Sequence, residues 1–117
     1  MLKGYRFSVV SAGIKYKDRN DIGLILSDLP AVAAGVFTKN RVKAAPVRLS
    51  RRRLMRPSAR AIIVNSGNAN ACTGRQGMLD ALAQTKLVAD ILKIPEREVL
   101  VASTGVIGTP LPMAKLK

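Results

Sequence analysis

The sequence predicts an α/β fold, and three observations carry that reading. In "DIGLILSD" apolar residues alternate, so that Ile22, Leu24 and Leu26 fall on one side of a strand. In "ARAIIVNSG", Ile62, Ile63 and Val64 run straight into a turn-rich segment, as a buried strand does where it meets a ligand-facing loop. "GMLDALAQTKLVADILK" then changes period, with Leu79, Leu82, Ala83, Leu87, Val88, Ile91 and Leu92 on one broad helical stripe. The resulting order of strand, loop, helix and strand places two polar loops at strand C-termini, where ligands sit in open α/β sheets.

The remaining elements follow in chain order. "YRFSVVSAGIK" alternates loosely and reads as an opening strand. Pro30 marks a break, and the small apolar residues of "LPAVAAGVFT" predict a strand buried on both faces or packed closely against a helix. "TKNRVK" is a polar connection. "AAPVRLSRRRLM" predicts a short helix starting near Pro46, since the first helical turn tolerates a missing N–H. Pro95 closes the long helix, and Glu98 to Ala102 forms a further strand leading into "STGVIGTPLP". No repeat or domain boundary interrupts the 117 residues, which suffice for one domain.

Composition narrows the function classes. Aromatic residues make up only 3% of the chain, so the core is aliphatic and base-stacking platforms for single-stranded nucleic acid are disfavoured. A single cysteine excludes an internal disulfide, and no apolar run reaches the length of a membrane span, which together point to a cytoplasmic protein. The absence of histidine and the scatter of the seven carboxylates argue against a metal site. The net charge of +13 is concentrated between Lys39 and Arg60, where nine of 22 residues are basic and none acidic. Such a block suits phosphate, nucleic acid or an acidic partner, or a solvated face whose counter-charges lie on another polypeptide.

Two segments are candidates for chemistry. "NSGNANACTG", Asn65 to Gly74, is expected to be non-core: an elaborate turn, or a tight loop aiming amides and backbone N–H groups at a ligand. It has neither the spacing of a phosphate-binding lysine loop nor that of a dinucleotide fingerprint. Cys72, with no histidine to activate it, is expected to be a small buried residue. In the second segment Ser103, Thr104 and Gly105 follow a strand. A serine or threonine nucleophile needs a base, and none is evident in the spacing. A hydroxyl beside a glycine N–H is instead suited to holding the negative oxygen of a tetrahedral intermediate, although the same three residues also occur in plain turns.

"SDLPAVAAGVFTKNRVKAAPV", "VNSGNANACTG" and "VLVASTGVIGTPLPM", in that order, resemble the ornithine acetyltransferase (glutamate N-acetyltransferase) family from roughly Gly4 onward. The resemblance implies a layered α/β sandwich of which this chain is an incomplete part, residues 1–117 being the N-terminal part of the α chain of a self-processing acetyltransferase domain. It implies transfer of acetyl from N-acetylornithine to glutamate in arginine biosynthesis by a ping-pong route, with acetyl-CoA an alternative donor in some members and no bound cofactor or metal. The nucleophile would be the N-terminal threonine of a β chain cut from the same precursor, whose own amine acts as base. That threonine and the main substrate-binding residues are expected downstream of Lys117. Thr104 and Gly105 would form the oxyanion hole. The implied partners are the β chain, in an α/β heterotetramer, and the small-molecule substrates, with neither nucleic acid nor membrane. A basic nucleic-acid-binding or partner-binding module without catalysis is the alternative.

Overall fold

A computed structural model of the chain describes residues 2–116. Four strands, β1 (Tyr5–Val10), β2 (Ile22–Val32), β3 (Ser58–Asn68) and β4 (Val99–Val106), form one mixed sheet in the order β1-β2-β3-β4. The first two pairings are antiparallel; β3 and β4 run parallel, joined by helix α2 (Gly74–Leu92). Helix α1 (Ala45–Arg53) precedes β3 and carries Pro46 in its first turn, as its sequence predicts.

The helices cover one face of the sheet. Register partners share a face, so Leu26, Ala61 and Val99 form one row across β2, β3 and β4, and Leu24, Ile63 and Val101 the next. These rows pack against Ala45 and Leu49 of α1 and Ala81, Val88 and Ala89 of α2 in an all-aliphatic core. The alternation at Ile22, Leu24 and Leu26 therefore marks the helix-facing side of β2. The opposite face presents Phe7, Val9, Ile25, Ile62, Val64 and Ala102. Apart from Ala31–Ala33, which border a shallow cleft with Tyr5, Ile25, Ile62 and Leu100, no described element covers it. Phe7 and Val9 are more than half exposed there.

Helix α1 also closes the outer edge of β4. Ser50 Oγ donates to the Val101 carbonyl at 2.7 Å and accepts from the Val101 N–H at 3.0 Å, so one hydroxyl satisfies both edge groups of that residue. Arg53 Nη1 donates to the Val99 carbonyl, and Arg53 Nη2 pairs with Glu96 at 2.7 Å. Burial pushes the Arg53 guanidinium below its ordinary pKa, and Glu96 offsets part of that shift. A sheet edge is thus blunted by side chains rather than by another strand.

Three expectations change. "LPAVAAGVFT" is not a buried strand: β2 continues through Pro30 with a register irregularity between Leu26 and Ala31 and ends at Val32, while Leu29, Val32 and Val36 are 74%, 90% and 101% exposed. Proline has no N–H to pair, and the irregularity at this end of the β2–β3 ladder accommodates it. On α2 the buried stripe is Gly77, Asp80, Ala81, Gln84, Thr85, Val88 and Ala89, whereas Leu79 and Ile91 are exposed. The helix sits where small side chains admit close packing: an added Cβ at Gly77 would lie 2.5 Å from Asn70 Oδ1. Finally, β3 and β4 both extend beyond their apolar runs, so that Asn65–Asn68 and Ser103–Val106 are strand residues rather than loops.

Candidate functional site

That extension brings the two polar segments together. In the parallel ladder Asn65 pairs with Ser103, Ser66 with Thr104, Gly67 with Gly105 and Asn68 with Val106. Alternation from Ala61 and Val99 puts Asn65 and Ser103 on the helix side, and Ser66 and Thr104 on the open side. Thr104 is exposed, with its side chain facing away from the helices and its hydroxyl free of any bond to the described residues. Gly105 follows at φ +132, a backbone conformation that side-chain-bearing residues rarely adopt. The ladder thus ends in a kinked strand that presents a hydroxyl and an adjacent glycine peptide on an uncovered surface.

Behind this surface lies a chain of buried amides. Asn65, Asn68 and Asn70 are 0%, 3% and 0% exposed, which corrects the expectation that this asparagine-rich segment stays out of the core. Their burial is possible because the carboxamides are bonded. Asn65 Oδ1 accepts from Ser103 Oγ at 2.6 Å and Asn65 Nδ2 donates to the Asn68 carbonyl at 2.8 Å. Asn68 Nδ2 donates to the carbonyls of Thr109 and Pro110, and Asn68 Oδ1 accepts from Asn70 N–H. Asn70 Nδ2 donates to the Gly77 carbonyl in the first turn of α2, and Asn70 Oδ1 accepts from Thr73 Oγ1. Sequence reading finds these residues but not their burial; the signal was three asparagines at close spacing beside a strand, with no exposed role to account for all of them.

The other flank of the site is the segment between β1 and β2. Asp21 is 8% exposed, and its carboxylate accepts from Ala12 N–H at 2.7 Å and Ile14 N–H at 2.6 Å. Burial alone would raise its pKa, but the backbone donors outweigh it and hold the carboxyl below the usual range. The Asp21 carbonyl also accepts from Ser66 N–H at 2.8 Å. Asp21 thereby lays Ile14 and Lys15 across Gly67, where an added Cβ would come within 3.0 Å of Lys15 Cβ. Lys15, Tyr16 and Arg19 stand beside Ser66 and Gly67, giving this rim a positive character.

Chemically, the arrangement offers donors. It holds a hydroxyl, backbone N–H groups and nearby cations, and its one close carboxylate, Asp21, is committed to backbone donors. No group of three or more His, Cys, Asp or Glu among the described residues is placed to hold a metal. Cys72 lies apart from the Thr104–Gly105 pair, exposed at φ +56 in the turn before α2, which corrects its expected burial. It borders a cleft with Arg41, Lys43 and Arg48. Of the basic block, Arg53 and Arg60 are tied to strand carbonyls, while Arg41, Arg48, Arg51, Arg52 and Arg56 are exposed. No helix among the described residues is long and apolar enough to cross a membrane.

Comparison with known proteins agrees along almost the whole chain. The family model of the ArgJ family matches residues 6–117. The arginine biosynthesis bifunctional protein ArgJ of Geobacter sulfurreducens is 56% identical over 116 residues, 99% of this chain and 30% of that protein. The protein of the same name from Nitratidesulfovibrio vulgaris is 55% identical over 114 residues, 97% of this chain and 29% of the relative. The chain therefore spans about 30% of the length of these curated relatives. The crystal structure of ArgJ from Bacillus halodurans superposes with a TM-score of 0.93 at 42% identity, covering 97% of this chain and 60% of that one. The Mycobacterium tuberculosis ornithine acetyltransferase, solved with ornithine, gives 0.93 at 46% identity, with 97% and 62% covered. With the sheet, its helix layer and the kinked β4 end in place, this chain belongs to the ArgJ family.

Proposed function

We propose that this chain supplies the oxyanion hole of an acetyltransferase of arginine biosynthesis, one that moves acetyl from N-acetylornithine to glutamate. The observation that carries the reading is the exposed Thr104 hydroxyl beside the positive-φ Gly105, on a strand end paired with the asparagine-rich segment that begins at Asn65. Support comes from the relatives named for arginine biosynthesis and from the ornithine acetyltransferase that shares the fold.

The chemistry runs in two halves. The hydroxyl of an N-terminal threonine, on a β chain cut from the same precursor, attacks the acetyl carbonyl while its own amine takes the proton. The carbonyl oxygen becomes negative and is held by Thr104 Oγ–H and Gly105 N–H. Collapse breaks the C–N bond as the threonine ammonium returns its proton to the departing ornithine amine, leaving the acetyl on the threonine Oγ. The glutamate amine then attacks the same carbonyl, gives up a proton to the threonine amine and reforms the same oxyanion. Its collapse breaks the Oγ–C bond, returns that proton to Oγ and releases N-acetylglutamate. This ping-pong scheme explains how a chain without histidine serves acyl transfer. Residues 1–117 are in this scheme the N-terminal part of an α chain, within an α/β heterotetramer, and acetyl-CoA is a candidate alternative donor. The exposed arginines of α1 are read as partner-facing rather than nucleic-acid-binding, because no aromatic residue lies between Lys39 and Arg60.

The test is a chimera in which this chain replaces the matching span of the Geobacter sulfurreducens relative. Acetyl transfer from N-acetylornithine to glutamate is expected. A folded chimera that transfers no acetyl under conditions where the parent does sinks the reading.

A further inference from the structure

We propose that Asn65 is a positioning residue for the Thr104–Gly105 pair, acting through the hydroxyl of Ser103. The inference rests on the oxyanion-hole reading and adds to it the device that holds the hole in shape.

An oxyanion hole works only if its donors are already aimed when charge develops, and a hydroxyl on an exposed strand end has no such guarantee. Thr104 itself is bonded to nothing among the described side chains. Its neighbour is different. Ser103 Oγ donates to Asn65 Oδ1 at 2.6 Å, on the helix side of the sheet and directly across the register. Asn65 is completely buried, and its Nδ2 is committed to the Asn68 carbonyl at 2.8 Å, so the acceptor cannot swing away without breaking a second bond.

The chain on the far side of Gly105 is held from the end of β3 and the residues just after it. Ala69 N–H donates to the Val106 carbonyl at 2.9 Å, and Gly108 N–H to the Ala71 carbonyl at 2.8 Å. Asn68 Nδ2 then clasps the carbonyls of Thr109 and Pro110 at 3.0 and 3.1 Å. Thr104 and Gly105 thus span two anchor points, of which Ser103–Asn65 is the side-chain anchor immediately before the reactive pair. A leucine of similar size would fill the Asn65 site without the desolvation cost of an amide, but would release Ser103. Burial of an amide whose atoms reach both strands fits a demand for geometry rather than volume.

The experiment uses the chimera with Asn65→Ala, Ser103→Ala, Ser103→Thr and Thr104→Ala, singly and with Thr104→Ala combined with each of the first two. Asn65→Ala and Ser103→Ala are each expected to lower kcat about 10- to 100-fold, as misplacement of a reacting group does. KM should stay within about threefold of the parent, because the lost interaction belongs to the transition state. Ser103→Thr, which retains a hydroxyl, should restore most of the turnover. Combined with Thr104→Ala, the losses should fall well short of multiplying, since all act on the one oxyanion hole. Fully multiplicative losses, or full turnover in a folded Ser103→Ala enzyme, overturn the positioning role. Should Asn65→Ala not fold, the serine pair decides alone. Full turnover by folded Thr104→Ala overturns the oxyanion hole and the positioning role together; slow Thr104→Ala beside full-rate Ser103→Ala overturns only the latter.

Discussion

Gly67 and Gly105 face each other across β3 and β4, both with positive φ, +98 and +132, and there is no room for a Cβ on Gly105. An added methyl there would lie 2.8 Å from the Gly67 Cα and 2.5 Å from the Asn68 nitrogen. These are backbone atoms of the partner strand, so they cannot yield without parting the ladder. At Gly67 an added Cβ would meet Lys15 Cβ at 3.0 Å, Ile14 Cγ2 at 3.3 Å and the Lys15 nitrogen at 3.4 Å, contacts that are tight but far looser than those at Gly105. Both substitutions carry backbone strain on the order of 1–3 kcal/mol from the positive φ. Gly105→Ala in the chimera is expected to cost more stability than Gly67→Ala because of its clash with the partner backbone. It should also abolish measurable turnover. Denaturant midpoints rank the two; equal losses, or an active Gly105→Ala enzyme, would contradict the close-approach account.

Thr104 provides the sharper chemical test. If its hydroxyl meets only the developing oxyanion, Thr104→Ala should lower kcat on the order of 10²–10³-fold, as loss of other oxyanion donors does. KM should change little. Thr104→Ser should retain much of the activity. The side chain is exposed, so neither substitution leaves a cavity, and thermal stability should stay close to that of the parent. A Thr104→Ala enzyme that loses stability but keeps its turnover would make Thr104 a turn residue instead.

How far the sequence foretells this structure depends on which force decides each element. Ile22, Leu24 and Leu26 read correctly because a sheet with one helix-covered face sorts apolar residues by alternation, and that sorting is local. The helix of α2 is equally legible, yet its buried face is not. Hydrophobic spacing selects Leu79 and Ile91, while close packing selects Gly77, Ala81 and Ala89, a preference set by neighbours distant in sequence. The site divides in the same way. Thr104–Gly105 is visible as a short hydroxyl–glycine motif after a strand. Its pairing with Ser66–Gly67 and the bond from Ser103 to Asn65 span 38 residues, and only the parallel register of β3 and β4 reveals them. Polar residues such as asparagine also suggest a loop by composition, whereas here satisfied amides carry them into the interior.

Ser50 is a position where a small change should have a large effect. Its hydroxyl is the partner of both the N–H and the C=O of Val101 on the outer edge of β4, and Ser50 is 7% exposed. Ser50→Ala removes one hydroxyl and its two hydrogen bonds but almost no volume, leaving a buried donor and acceptor unpaired. The expected loss is about 1–3 kcal/mol, the usual consequence of orphaning buried polar groups. Ser50→Thr keeps the hydroxyl and should lose less. Hydrogen exchange at the Val101 amide is the direct check: it should accelerate in Ser50→Ala relative to amides paired within the ladder. Unchanged protection there would mean that the bond contributes little.

The pH dependence of stability should carry the signature of Asp21. Its carboxyl is held below the usual pKa because, despite burial, the ionised form accepts from Ala12 and Ile14 N–H. A group whose folded pKa is depressed contributes stability that is fully present above its unfolded pKa, about 3.9 for an aspartate, and lost as pH falls through the lower folded value. The chimera and its Asp21→Asn variant should therefore differ most in denaturant midpoint near neutral pH, with the gap narrowing as pH drops below about 4. Asparagine keeps one acceptor but turns an NH2 toward the second backbone donor, so the Ala12–Lys15 segment should also loosen over Gly67. Exchange at the Ile14 amide would report that loosening directly. A gap that stays constant from pH 6 to the acid limit would show that ionisation of Asp21 is not what holds the segment.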